Sequence, residues 1–182
     1  LSAVPEGYAP DAAVLLDCGE MERSGITAEA LGPPPVLVNL DHHLTGGPFE
    51  GLRVSDPDAP ATGLLVYELL RALGAPVGPD AAEALYVALH TDTGGFRYGN
   101  STPEAFRLAA DLAEQGADPA RVASMLLERE RPERLRLLGL ALATLTVSSC
   151  GRIADMTVTR EMHAQTGTRG EDTDGFVNYA RS

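Results

Sequence analysis

Val36-Leu37-Val38-Asn39-Leu40-Asp41-His42-His43 is the stretch on which the fold turns. Residues 36–40 are apolar but for Asn39 and rich in branched side chains, the length of a buried parallel strand, and they break off into an aspartate and two histidines. Prolines at 33–35 separate this run from what precedes it. Upstream, Ala12–Leu16 is a second short apolar run, bounded by Pro10 and by Asp17. Two such strands, each ending in polar residues, place Asp17 and the 41–43 triplet at a common sheet edge. In open α/β sheets that carboxyl edge is where ligands bind. With neighbouring strands ~4.8 Å apart, Asp17 and His42 would end about 5 to 8 Å from each other.

Downstream the period changes from two to 3.6. Residues 62–73 carry apolar side chains at 65, 66, 69, 70 and 73, a helical stripe closed by Gly74. Asp80 is placed to cap a helix over 81–89, and a polar knot, His90 to Gly95, follows it. Residues 96–98 read as a short strand. Ser101-Thr102-Pro103-Glu104 has the form of a capping-box start to a helix ending near Gly116. Further helices are expected from Pro119 to about Glu128 and from Pro132 to about Leu145, then a hairpin of 145–149 with 152–159 around Cys150-Gly151. The stretch 171–181 reads as a last helix. Strands alternating with helices predict an α/β fold: a mostly parallel sheet flanked by helices, then a linker helix and the start of a smaller α/β domain. The boundaries expected are 1–128, 129–145 and 146–182.

Composition narrows the functions open to such a fold. Over 182 residues the net charge is −12, and every basic residue is an arginine. So acidic a chain is a poor match for long DNA or RNA, whose binding rests on neutralising many phosphates, and no long nucleic-acid groove is evident. One short phosphorylated ligand held through a metal is compatible with it. Two cysteines, Cys18 and Cys150, make no disulfide framework and read as reduced thiols in a cytoplasmic protein. The longest apolar stretch falls short of a bilayer span, so no membrane contact is expected. The apolar faces of helices 119–128 and 132–145 leave a homodimer open.

Carboxylate and imidazole together suit manganese, magnesium, iron or zinc, and without an obvious thiolate manganese ranks first. A lone aspartate after a strand is usually a turn or cap, and a lone histidine is usually structural. Two adjacent histidines behind an aspartate at a strand end are harder to explain in that way.

The segments VLLDCGE (14–20), VLVNLDHHLTGGPF (36–49), VSDPDAPATGLLVYELL (54–70) and ALYVALHTDTGGFRYGNSTPEAFRLAADLAEQGAD (84–118) resemble the DHH phosphoesterase superfamily in order and spacing. The likeness is to the DHH/DHHA1 branch of short-oligoribonucleotide nucleases, which often also dephosphorylate 3′-phosphoadenosine 5′-phosphate. It implies two divalent cations, manganese preferred and magnesium possible, with Asp17 bridging them and His42 and Asp92 as further metal ligands. It implies that Asp41 orients an imidazole or nearby backbone, and that His43 faces the scissile phosphate. Two cations suit this chemistry because hydroxide must attack an anion, so phosphate oxygens have to be neutralised.

The chain departs from the family pattern at both ends. The first motif, a His-x-x-Pro-Asp-x-Asp segment upstream of Asp17, is absent, and so is the Gly-Gly-Gly-His substrate loop. Asp17, His42 and Asp92 suffice for one cation, so these 182 residues alone are expected to be inactive while the parent is an enzyme. Weaker candidates are Arg97 and Asn100, which lie where a phosphate or base could pass or simply face solvent, and His90, placed to orient a metal ligand or to end its helix. His163 and the charge run 129–136 read as solvated surface. The expected reaction is release of mononucleotides from very short oligonucleotides. A linear or cyclic dinucleotide phosphodiesterase, a single-strand DNA exonuclease and a manganese pyrophosphatase are rivals in kind. A non-catalytic nucleotide-binding module is the rival from another class.

Overall fold

The computed structural model describes residues 10–27, 29–31, 36–44, 47, 49–127 and 130–181. The prolines at 33–35 and the expected helix end near Glu128 lie outside them. The chain divides into two compact units, residues 1–123 and 124–182.

The first unit is built on a parallel sheet of three strands: β1 (Ala12–Leu16), β2 (Val36–Asp41) and β3 (Leu52–Ser55), in that order. Leu16 pairs with Leu40 and Asp41 with Ser55, so all three strands deliver their polar successors to one edge. The third strand was not foreseen. It has only four residues, Leu-Arg-Val-Ser, an alternation too short to stand out among the polar residues around it. Arg53 explains its own presence: its guanidinium donates to the carbonyls of Gly19 and Gly47, both at 2.9 Å, and stacks over Phe49.

Four helices follow: α1 (Thr62–Ala72), α2 (Pro79–Asp92), α3 (Pro103–Glu114) and α4 (Pro119–Leu127). Gly74, at φ 65°, terminates α1, and the N–H groups of Gly74 and Ala75 return to the carbonyls of Arg71 and Leu70. Asp80 does not cap α2. The cap is Gly78, because Pro79 supplies the first helical φ and leaves Asp80 inside the first turn. The helix α3 starts where expected, but its cap is Thr102, one residue on from the Ser101 of the capping-box pattern, its hydroxyl accepting the Ala105 N–H. The apolar stripes meet in one core around Leu64, Leu85, Leu89, Leu108, Leu112 and Val122. Burying each such side chain contributes roughly 1.5–3 kcal/mol.

Residues 96–98 are not a strand. Gly94, Gly95 and Phe96 all take positive φ, 59°, 68° and 61°, and the Arg97 and Tyr98 N–H groups both fold back onto the Thr93 carbonyl. Three left-handed residues in succession curl the chain instead of extending it.

In the second unit, α5 (Pro132–Leu142) precedes a short antiparallel pair, β4 (Thr146–Val147) with β5 (Ala154–Asp155). The expected hairpin is therefore present but only two residues long on each side. Then comes α6 (Arg160–Thr166), which the sequence reading missed, although Thr159 caps it and Gly167 ends it at φ 70°. The expected last helix is split: a 3-10 turn at Gly170–Thr173, then α7 (Val177–Arg181). Leu137, Leu138, Ala141 and Phe176 form this unit's core, with Met156, Val158 and Met162 against it. Among the described residues no helix is long and apolar enough to cross a membrane.

Candidate metal centre

Asp17 leaves β1 in the left-handed region at φ 58°, a conformation that aspartate tolerates better than most residues. Its N–H is held by the Leu40 carbonyl at 3.0 Å. The loop beyond it is pinned twice, by the Asn39 amide on the Cys18 carbonyl (2.7 Å) and by Arg53 on Gly19. The Thr62 hydroxyl, in the first turn of α1, donates to Asp17 Oδ1 at 2.7 Å. The carboxylate is thereby fixed without being neutralised.

His42 follows β2 and is mostly buried. Its Nδ1–H donates to the Ala59 carbonyl at 3.2 Å, which leaves Nε2 with a free lone pair. That Nε2 lies 3.6 Å from Asp17 Oδ1 and 3.6 Å from Asp92 Oδ2. Asp92 is the last residue of α2, so a helix C-terminus brings the third donor to the sheet edge. Burial raises its carboxyl pKa above the ordinary value; His42 works against this, and the charge of Asp17 adds to it. Two carboxylates converging on one imidazole nitrogen are a donor set that a divalent cation completes. Separations of 3.6 Å are also compatible with one cation bonded to both atoms at ~2.1 Å. Asp17, His42 and Asp92 therefore fit a divalent cation.

Asp17, His42 and His43 bring donor atoms within 4.8 Å of one another. The trio with Asp92 is the better ligand set, because His43 Nδ1 is already engaged by Asp41 Oδ1 at 2.7 Å. The same oxygen takes the His43 N–H at 3.0 Å. Asp41 is buried, which works to raise its pKa, but the two bonds from His43 outweigh this and the carboxyl sits below its usual range. The bond to Asp41, working against burial, raises the half-exposed His43 imidazole above its ordinary value.

The remaining candidates lie elsewhere or are otherwise occupied. His90 is two residues from Asp92, on the opposite side of the helix, and its ring stands with Tyr86 and Phe96. Burial and the Arg97 charge lower its pKa. Asn100 Nδ2 donates to two backbone carbonyls, Pro60 (2.9 Å) and Asp92 (3.1 Å). Arg97 is exposed, with Nε on the Gly94 carbonyl at 2.6 Å. Sequence reasoning missed Thr62, Asn39 and the Ala59 and Pro60 carbonyls. Only Thr62, opening an apolar helix after two prolines, left a sign of itself.

No family model matches the chain. It is 34% identical over 169 residues to the bifunctional oligoribonuclease and PAP phosphatase NrnA of Thermus thermophilus, covering 92% of this chain and 49% of that protein. It is 22% identical over 170 residues to the Bacillus subtilis protein of the same name, covering 92% and 54%. The chain thus spans about half the length of these relatives. The crystal structure of an exopolyphosphatase-related protein from Bacteroides fragilis superposes with a TM-score of 0.83 at 25% identity, over 94% of this chain and 52% of that one. With a relative 34% identical over 92% of the chain, a solved structure of the same fold, and Asp17, Asp41-His42-His43 and Asp92 brought together, the chain belongs to the DHH phosphoesterase superfamily.

Proposed function

We propose that this chain carries the metal-binding core of a cytoplasmic, manganese-dependent phosphoesterase. It hydrolyses very short oligonucleotides to mononucleotides and also removes phosphate from 3′-phosphoadenosine 5′-phosphate. The observation that carries the reading is the free His42 Nε2 set 3.6 Å from both an Asp17 and an Asp92 oxygen. The names of the two NrnA relatives support the substrate class.

In this reading Asp17, His42 and Asp92 would hold one cation, and Asp17 would also serve a second whose other ligands would come from outside the described residues. When bound, such cations supply positive charge against the phosphoryl oxygens and lower the pKa of an attacking water. Asp41 fixes the His43 tautomer, so Nε2 is the ring nitrogen left to meet the scissile phosphate. The raised pKa keeps a proton there for the leaving oxygen. Arg97 is the substrate contact that retains an exposed guanidinium. Residues 146–182 are the beginning of a DHHA1-type substrate-binding domain. On the ligand count, the 182 residues alone turn over no substrate.

The test is hydrolysis by the full-length protein with manganese, with magnesium, and with chelator, on a dinucleotide, 3′-phosphoadenosine 5′-phosphate, a cyclic dinucleotide and pyrophosphate. Manganese-dependent release of mononucleotides from the dinucleotide supports the reading. Turnover confined to the cyclic compound, or pyrophosphate cleavage orders of magnitude faster, overturns it.

A further inference from the structure

The three donors of the metal centre come from β1, β2 and α2, yet all are held through one short corner. Asp56 to Thr62 leads from β3 into α1. It is tied to the end of β2 by the Asp56 N–H on the Asp41 carbonyl (3.2 Å) and folded by the Ala59 N–H on the Asp56 carbonyl (3.1 Å). Ala59, Pro60, Ala61 and Thr62 are all buried. From this corner the Ala59 carbonyl receives His42 Nδ1–H and the Thr62 hydroxyl donates to Asp17. The Pro60 carbonyl receives the Asn100 amide. The other hydrogen of that amide reaches the carbonyl of Asp92 itself, at 3.1 Å.

Asp92 ends its helix, where backbone carbonyls lack intrahelical partners, and Asn100 supplies the missing donor. Two carbonyl acceptors also fix which way the amide points, since a flipped Oδ1 would face both oxygens. Oδ1 is buried and has no partner among the described residues, so the side chain is held by its two donated bonds.

We infer that Asn100 is a positioning residue for the metal trio: by clamping the Pro60 and Asp92 carbonyls together, it sets the spacing of Asp92 from His42 and Asp17. This rests on the metal-centre reading above and adds to it a residue that touches neither cation nor substrate. Removing the clamp lets the end of α2 drift from the corner while Asp17 and His42 stay registered through Thr62 and Ala59. Groups of this kind set ligand orientation, and their loss typically weakens metal affinity about 10–100-fold.

Manganese titration by calorimetry on the full-length protein tests this, with circular dichroism to confirm folding. Asn100→Leu, which keeps the volume and removes both donors, is expected to weaken manganese binding about 10–100-fold. Asn100→Ser, able to keep one donor, should fall between it and the wild type. Tyr67→Phe removes hydrogen bonds to Asp111 and Gln115 in the same unit, away from the trio, and should leave manganese affinity unchanged. Wild-type affinity in a folded Asn100→Leu, or in Asn100→Ser where the leucine variant does not fold, overturns the inference. An equal affinity loss in Tyr67→Phe overturns it too, since general loosening would then suffice. Failure of the underlying reading looks different: the wild type and Asp92→Asn would then be alike in binding no manganese.

Discussion

The two units treat their aspartates in opposite ways, Asp17 and Asp92 in the first being partly exposed and Asp172 in the second buried. In the second, Asp172 takes the Arg169 N–H at 2.7 Å and the Arg131 guanidinium, while Arg134 donates to the Asp172 and Asp174 carbonyls and lies over the Phe176 ring. That charge is closed within the chain. In the first, Asp17 and Asp92 meet only imidazole and a hydroxyl, and among the described residues neither pairs with any of the fourteen arginines. A crowded carboxylate pair costs stability unless something balances it, and here the balance has to come from outside the chain. Whether an aspartate is structural or functional is thus decided by its counter-charge.

Exchanging the two kinds of aspartate is the strongest way to break this contrast. Asp92→Asn in the full-length protein should lower kcat on the order of 10²–10³-fold and weaken manganese binding, leaving thermal stability of the metal-free protein unharmed. Asp172→Asn should do the reverse: a lower unfolding temperature with manganese affinity intact. Calorimetry and a manganese titration on both variants read the two effects together. A loss of metal affinity in Asp172→Asn would dissolve the distinction.

The parts that could be read in advance are those whose information is local. Strands 12–16 and 36–40, the α1 stripe and the Gly74 stop each follow from a few neighbouring side chains, and so does the meeting of Asp17 with the 41–43 triplet at one edge; Asp92 joins them only through the family resemblance. What stayed hidden depends on partners distant in sequence or on backbone atoms. The strand around Arg53 exists because its guanidinium finds carbonyls at Gly19 and Gly47. The corner at 59–62 contributes mainly carbonyls, which no residue type encodes. Gly94-Gly95-Phe96 read as the approach to a strand because the positive φ of a phenylalanine has no sequence signal. Capping signals at Thr159 and Gly167 were legible and were overlooked, because the helix between them has only seven residues.

If the second unit's charge is closed within the chain, its small core should still set its stability. Leu137 is fully buried, with Leu138, Ala141 and Phe176 as the rest of its cluster. Leu137→Ala should cost about 2–5 kcal/mol. The loss should appear in hydrogen exchange as faster opening of α5, α6 and β5, with the amides of β1 and β2 still protected. Equal loss of protection in both units would mean that they unfold as one body and that the comparison between them is artificial.

The last difference is one of acidity, and it sharpens the contrast without any mutation. Burial, opposed by His42 and joined by the Asp17 charge, raises the Asp92 pKa above its ordinary value of 3.8. The Arg169 N–H, opposed by burial and joined by the Arg131 and Arg134 charges, depresses that of Asp172 below 3.8. A carboxyl with a depressed folded pKa contributes stability that is present above its unfolded value and is lost as pH falls through the folded one. A carboxyl with a raised pKa behaves in the opposite sense, since protonation relieves it in the folded state. In metal-free protein titrated from neutral pH, Asp92 should therefore take its proton first, above pH 3.8, with no loss of structure. Asp172 should follow below pH 3.8, and only then should the second unit loosen. Carboxyl carbon resonances followed by NMR give the order directly. If Asp172 protonates first, or if the second unit opens while Asp172 is still ionised, the arginines around it are not what holds that unit together in acid.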